Sequence, residues 1–556
     1  MPHRLAKIEI KNFRSIVDHT FDMFDYTPIV GYNNAGKTNI VRAIKWLLRK
    51  SSLSFDYFND INQEISVSGI IEGITEDLLT AAAIAPNHRA SILPLIQNET
   101  IQIKRIQSRP GEGVAAIRLY VKNPNAEREE DEWKLNPTGI DQAITALFPD
   151  PIHIGAMENA EEDVSKYKVS STIGKLLAEI ITPIEEQHGA MVREALNSFH
   201  ELLDAEGQNR APELSAFDEA MNSRIDDFFP DVRVKLHIPT PELKEVFNKG
   251  TLKVYEGEMD MGRDVSSFGH GAQRSIQMAL IRHLAEIKRG NNNATTRTLL
   301  LIDEPELYLH PQGIEIIKDA LKELSGEGYQ IIFSTHSALM LTHEDVGNTV
   351  IVRKNHELGT YCRASLRSAI ERVEVEAVSQ LQMLFSLSHA SNILFSERVI
   401  LIEGRTEERI LPLLIKILLG KTVGYLKCAV VKQNGGTNTR KSLLVLQAMN
   451  IPSKAVVDLD YAFKQAITDG YLSIDDEDII NGKALMVNLS VVHDFRLGDD
   501  GWPTSKNSSL TASKAFAKLA VDGEGSRLAN NLHNKLKEHN IWVWKSGTIE
   551  EHLILD

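Results

Sequence analysis

Three apolar runs in this chain stop on carboxylates. Leu299-Leu300-Leu301-Ile302 is closed by Asp303-Glu304, Val399-Ile400-Leu401-Ile402 by Glu403-Gly404, and Ala455-Val456-Val457 by Asp458-Leu459-Asp460. Runs of this kind, with no polar alternation, read as strands covered on both faces, the pattern of a parallel sheet flanked by helices. Ligand sites in such sheets lie outside the carboxyl ends of the strands. The chain is therefore expected to be α/β, with acid-lined sites at its strand ends. Its 556 residues are too many for one core, and roughly two to four domains are expected.

Bulk properties remove several classes of function. No run of ~18 apolar residues occurs, so no transmembrane helix is expected. The start, Met1-Pro2-His3-Arg4-Leu5-Ala6-Lys7, lacks the apolar core of a signal peptide. The only cysteines, Cys362 and Cys428, lie far apart; this fits a reducing cytoplasm and argues against a paired-cysteine zinc site. The net charge of −15 is unlike that of proteins that coat nucleic acid. Contact with DNA would need a local basic patch or bridging metal. The acid-rich stretch from Asn125 to Glu132 reads as a solvated loop or hairpin edge.

Gly31-Tyr32-Asn33-Asn34-Ala35-Gly36-Lys37-Thr38 fits G-x-x-x-x-G-K-[ST], between strand-like Thr27–Val30 and a helix-like run from Asn39. The glycines let backbone N–H groups curl around phosphate oxygens, and the helix N-terminus adds partial positive charge. Lys37 would reach the terminal phosphates and the Thr38 hydroxyl would ligate Mg²⁺. Asp303 would share that ion, and Glu304 would orient or deprotonate the attacking water. A third strand-like run, Ile331–Thr335, ends in His336, placed to sense the γ-phosphate. Gly269-His270-Gly271-Ala272-Gln273-Arg274 precedes a helical pattern and offers a second anion-binding N-terminus, or a plain cap.

In order and spacing these four elements resemble the ABC-type ATPase head, in the form found in the SMC, recombination-protein and OLD (overcoming lysogenization defect) families. The opening Ile8–Ile16 strand adds to the likeness. The resemblance implies nucleotide contacts from Arg14, Asn34, Gly36, Lys37, Thr38, Asn39 and Asp303. It also implies contacts from Gly269, Gly271 and Gln273 of the signature loop, which would complete the ATP site of an opposing subunit in a homodimer. Gln63 and Gln107 are both candidates for the Q-loop glutamine.

The second acidic region resembles the Toprim domain of topoisomerases, primases, recombination mediators and OLD nucleases. Asp458 and Asp460, read as alternating along a strand end, would face the same way and share one cation. Glu403 would complete the site or move a proton. In Glu403-Gly404-Arg405-Thr406-Glu407, Glu407 is either a second-metal ligand or a helix-first-turn acid. Gly435-Gly436-Thr437 either approaches a phosphate or simply turns the chain. By resemblance, Lys545 would stabilise charge on the scissile phosphate and Glu550 would touch a metal. Asp494 is read as a further strand-end acid. No tyrosine stands in a topoisomerase-like setting, and Tyr461 reads as packing. No zinc module suggests a primase.

The joint order resembles the OLD family across nearly the whole chain. The fold class implied is α/β: an ABC-type ATPase head with a helical dimerisation insertion, followed by a C-terminal Toprim domain on a Rossmann-like parallel sheet. The boundaries expected are 1–159 and 251–370 for the two parts of the head, 160–250 for the insertion, 371–395 for a linker helix and 396–556 for the Toprim domain. Residues 1–155 read as strands with one early helix. The resemblance implies ATP, Mg²⁺ or Mn²⁺, a DNA substrate, and a homodimer or larger assembly in the cytoplasm. Family members serve in anti-phage defence, among them the Gabija nuclease and effectors encoded beside retrons, whose partners are a reverse transcriptase and its RNA–DNA product. The rival reading is an ATP-switched DNA-binding or scaffold protein with a silent Toprim site. A recombination-type motor would need coiled-coil heptads or a zinc hook, and neither is present in the sequence.

Overall fold

A computed structural model of the chain describes residues 3–148, 151–155, 188–238 apart from 192, 193, 195 and 199, 252–257, 261–290, 297–326, 328–370, 392–433, 435–506 and 508–553. The helical stretch expected over Ser171–Ile181 and most of the expected linker helix lie outside these. The chain divides into two compact units. One comprises Met1–Arg4, Glu72–Ile101 and Val121–Phe333; the other comprises Leu5–Ile71, Gln102–Tyr120 and Ser334–Asp556.

In the first unit the strand Thr298–Asp303 runs parallel to Ile152–Ile154, with Leu301 opposite His153. Every residue of Thr298–Asp303 is buried, as the unbroken apolar run predicts. Asp303 is the last residue of that strand, and Glu304 follows with a left-handed φ of 47°. The signature helix, His270–Gly290, belongs to the same unit. So does the helix Pro212–Ile225 within the region expected to be helical. Beyond the single early helix expected before residue 155, three short ones occur: Glu76–Ala81, Pro86–Ile92 and Ile140–Leu147. The first opens on a Thr75 cap and the second on a proline, start signals that the strand reading passed over. The acidic stretch 125–132 is largely exposed, as expected, a loop that includes one 3-10 turn at Glu129–Asp131.

The second unit holds a mixed sheet in which Arg4–Phe13, Ile16–Asp22, Gly359–Cys362, Val350–Asn355 and Tyr26–Val30 lie side by side in that order. The last two are parallel, Val350 opposite Ile29 and Ile351 opposite Val30. Tyr26–Val30 is buried throughout and feeds the phosphate loop and the helix Lys37–Leu48.

Further along the same unit, four strands form an all-parallel sheet in the order Cys428–Lys432, Arg398–Ile402, Ser453–Val457, Ile541–Val543. Helices Arg405–Leu419, Thr439–Ala448, Glu477–Val492, Ala512–Val521 and Gly523–Lys537 accompany it. Two expectations are corrected here. The strand before Asp458 stops at Val457, and Asp460 sits in the first turn of a short helix, Leu459–Phe463, rather than two places along a strand. Asp494 follows a helix, not a strand: Val491 and Val492 are its exposed last turn, capped at His493.

Candidate active site

In the phosphate loop, Gly36 takes a left-handed φ of 103°, and a Cβ there would stand 2.2 Å from the Thr360 hydroxyl. Only glycine meets both conditions. Asn34, with φ 64°, is exposed at the loop tip. Lys37 is buried, and its Nζ donates to the carbonyls of Gly31 at 3.0 Å and Tyr32 at 3.3 Å. His336 Nε2 stands 2.7 Å from the same ammonium, so two predicted phosphate-facing groups meet. Thr38 follows in the first helical turn, and Asn39 donates to the Ser15 hydroxyl at 2.7 Å. Arg14 stacks on Tyr57, 4.1 Å from the ring centre, and pairs with Asp56 at 3.2 Å. Arg14, Ser15 and Asn39 help line one cavity of about 470 Å³. Of the two Q-loop candidates, Gln107 is committed to structure, its buried amide bridging the backbone of Leu53 and Arg109. Gln63 is exposed and bonds Asp60.

In the other unit, Asp303 is buried. His153 Nε2 stands 3.6 Å from its carboxylate, a neighbour that sequence reading missed because His153 sits in the middle of the short strand Ile152–Ile154 and ends no apolar run. Arg274 is buried and donates to the carbonyls of Asp303 at 2.9 Å and Glu304 at 3.1 Å. The signature loop thus grips the acidic strand end of its own chain. The Gln273 amide turns back to the Phe268 carbonyl at 2.8 Å. Gly271 is needed for closeness, since a Cβ would come within 2.9 Å of the Tyr308 carbonyl. Gly269 has open space around it.

The carboxyl ends of the all-parallel sheet gather the second set. Glu403 and Asp458 end neighbouring strands, and the Asp458 N–H donates to Glu403 Oε1 at 3.1 Å. The Gly436 backbone also bonds the Glu403 carboxylate. A Cβ on Gly436 would fall 2.9 Å from Glu403 Oε1, so this glycine serves the acid by close approach rather than merely turning the chain. Burial pushes the Glu403 pKa up to about 7, helped by the charge of Asp460. Burial pushes Asp458 to about 9, helped by Glu403 and Glu407. Burial also raises Asp460 and Glu407.

Glu407 is buried, and its carboxylate accepts the Gly404 N–H at 3.2 Å, tying it to the start of its own helix. Glu550 is held below the usual carboxylate range: burial works upward, but hydrogen bonds from Thr406 and Thr548 outweigh it. Lys545 reaches from just past the Ile541–Val543 strand to Asn530 Oδ1 at 2.9 Å. That partner, on a helix fifteen residues earlier, left no signal in the sequence. Tyr461 is buried packing with its hydroxyl on Asp469, as expected.

The donors here are all oxygen, which suits a hard divalent cation. Asp458 Oδ1 is buried with no hydrogen-bond partner, an arrangement that costs free energy unless a proton or cation meets it. Among the described residues, no three His, Cys, Asp or Glu side chains converge tightly enough to form a complete cage. Mg²⁺ is commonly held by only one or two carboxylates, with waters and substrate oxygens filling its shell, so the open arrangement fits.

Comparison with known proteins adds two family matches. Residues 27–342 match the family described as AAA domain, putative AbiEii toxin, Type IV TA system. Residues 394–460, which include Glu403, Glu407, Asp458 and Asp460, match the overcoming lysogenization defect protein-like TOPRIM domain. The Old nuclease of Escherichia phage P2 is 38% identical over 99% of this chain and 93% of its own length. The OLD nuclease of Thermus scotoductus is 23% identical, covering 82% of each chain. Endonuclease GajA of Bacillus cereus is 23% identical over 73% of this chain and 66% of its own.

Proposed function

The chain belongs to the OLD nuclease family, and on that premise we propose that it is an ATP-hydrolysing, divalent-metal-dependent DNA endonuclease that nicks its substrate. The observation that carries this reading is the buried acid pair at neighbouring strand ends, Glu403 and Asp458, with an Asp458 oxygen that has no protein partner. Mg²⁺ or Mn²⁺, once bound, would supply an activated water and a charge sink for the leaving oxygen. Glu403 and Asp458, at neighbouring strand ends, are assigned to hold the first ion directly, and Asp460, in the helical turn that follows, is assigned to it through the ion's waters. Glu407 and Glu550, linked through the first turn of one helix, are assigned to a second. Lys545 is assigned to the charge on the scissile phosphate, with Asn530 aiming it.

In the head, Lys37, Thr38 and the loop amides are assigned to the ATP phosphates, with Arg14, Asn34 and Asn39 beside them. Asp303 is assigned to the accompanying cation, Glu304 to the attacking water and His336 to the γ-phosphate. Homodimerisation through the head would bring Gly269, Gly271 and Gln273 to the partner's nucleotide. Exposed Phe228 and Phe229, 77% and 65% accessible in the region expected to dimerise, support a self-associating insertion. We assign the protein to anti-phage defence in the cytoplasm; in a retron its partners would be the reverse transcriptase and its RNA–DNA product. Among the described residues no helix is long and apolar enough to cross a membrane.

The test is conversion of supercoiled plasmid to open circles with Mg²⁺ or Mn²⁺, with and without ATP. Glu403→Ala and Asp458→Ala are expected to reduce nicking by at least about a hundredfold, since even a partner one shell out from a metal is worth about ten- to a hundredfold. Nicking that survives both substitutions refutes the assignment. Intact ATP turnover with no nicking, in the presence of defence partners, would favour the scaffold reading.

A further inference from the structure

We propose that the Lys427 ammonium, seated on the ring of Tyr32, couples filling of the phosphate loop to the strand that carries Glu403. For its effect on cleavage, the inference rests on the nuclease reading.

Tyr32 is the second residue of the loop, and its hydroxyl is clasped from both sides by one residue. It donates to the Lys354 carbonyl at 2.8 Å and accepts the Lys354 N–H at 3.0 Å. Gly31 lies flat on the same strand, Val350–Asn355, since a Cβ there would stand 2.5 Å from the Val352 carbonyl. Lys37 donates to the Tyr32 carbonyl. An ammonium that swings toward a phosphate gives up that bond, so the Tyr32 backbone feels phosphate binding directly.

On its other side the Tyr32 ring carries Lys427 Nζ, 4.4 Å from the ring centre. Lys427 stands at φ 50°, a left-handed conformation that a lysine keeps only when its surroundings hold it there. Its carbonyl accepts the N–H groups of Glu397 at 2.8 Å and Arg398 at 3.3 Å. Arg398 opens the strand Arg398–Ile402, and Glu403 is the next residue.

A second tie joins the same two places. Arg353, beside Lys354, is buried and donates to the carbonyls of Leu394 at 2.8 Å and Ser396 at 2.7 Å. Arg363 donates to the Glu397 carbonyl at 3.1 Å. The arginine tie is buried and hydrogen-bonded to the backbone at the base of the strand. The cation-on-ring contact, between exposed Lys427 and half-buried Tyr32, is weaker, and it is the part that a shift of Tyr32 would change. Lys427 touches no predicted phosphate or metal position, so it is a positioning residue.

The experiment compares full-length wild type, Lys427→Ala and Lys427→Arg by hydrogen exchange, with and without Mg²⁺ and a non-hydrolysable ATP analogue. The analogue is expected to change exchange of the amides from Glu397 to Glu403 in the wild type. Alanine should abolish that response, and arginine, which also stacks on rings, should keep it. In plasmid nicking, Lys427→Ala should move the ratio of rates with and without ATP toward unity by about two- to fivefold. Its ATP turnover and nucleotide-free nicking should be unchanged.

Three results would overturn the coupling: no response of these amides in the wild type, a response in Lys427→Ala equal to the wild type, or loss of ATP turnover in that variant. If the wild type nicks nothing, the nuclease reading fails, and the exchange measurement still decides the coupling.

Discussion

Burial and the neighbouring acids favour a proton or a cation on the Asp458 carboxylate over the bare charge. An acid whose folded pKa is raised above its unfolded value binds more protons when folded. Its stabilising effect is complete below the unfolded pKa and is lost as pH rises through the folded one. Glu403 and Asp458, raised to about 7 and about 9, therefore define a window from about pH 4 to about pH 9. Metal-free protein is expected to melt at a lower temperature at pH 8 than at pH 5.5, and Mg²⁺ should recover most of the loss. Asp458→Asn removes one charge from the group. It should flatten the pH profile and stabilise the metal-free protein at pH 8 by about 1–3 kcal/mol while ending cleavage. A melting temperature that falls in Asp458→Asn would contradict this account. The acids themselves were legible from sequence because an unbroken apolar run must stop at the sheet's edge. The position of Asp460 was not, because a helix begins immediately after Val457. The amides of Gly436 and Asp458 on Glu403 arise from tertiary closeness and leave no trace in local pattern.

Two short antiparallel strands, Val350–Asn355 and Gly359–Cys362, set the base of the Arg398–Ile402 strand through buried guanidinium groups. Burial lowers the Arg353 pKa to about 10, with the charge of Arg363 adding to the effect and Glu397 opposing it. The forked head satisfies two carbonyls outside any ladder, which otherwise would be buried without donors. Arg353→Ala is expected to destabilise the protein by about 2–4 kcal/mol in chemical denaturation, the cost of orphaning those groups. Arg353→Lys should recover only a small part, because one ammonium cannot reproduce the planar fork. Full recovery by lysine would mean that charge alone matters there. Nothing in the sequence pattern hints at the fastening. An arginine after an apolar run reads as surface, and only the fold reveals which carbonyls surround it.

For the whole molecule, the net charge of −15 sets how DNA can be approached. A body of this sign repels the phosphate backbone, so contact should depend on bridging cations and a few basic side chains. Binding followed by fluorescence anisotropy is expected to be weak without divalent metal and to tighten in Ca²⁺. The slope of log K against log salt should be shallow, about −2 to −4. A slope near −8 would indicate a broad basic groove that the sequence does not suggest. The order of the ATPase elements and the acidic strands was legible along the whole chain, because each motif is a strand end with its own chemistry. How the second unit's core is shared was not legible. Val30, Val346 and Ile351 belong to the same buried cluster as Val399, Leu401, Val431 and Ala455. The nuclease segment therefore has no separate interior to carry away. A recombinant exchange that cuts near residue 396 would expose apolar surface on both products. Diversification in this lineage should then proceed by substitution and loop insertion rather than by trading the C-terminal half as a cassette.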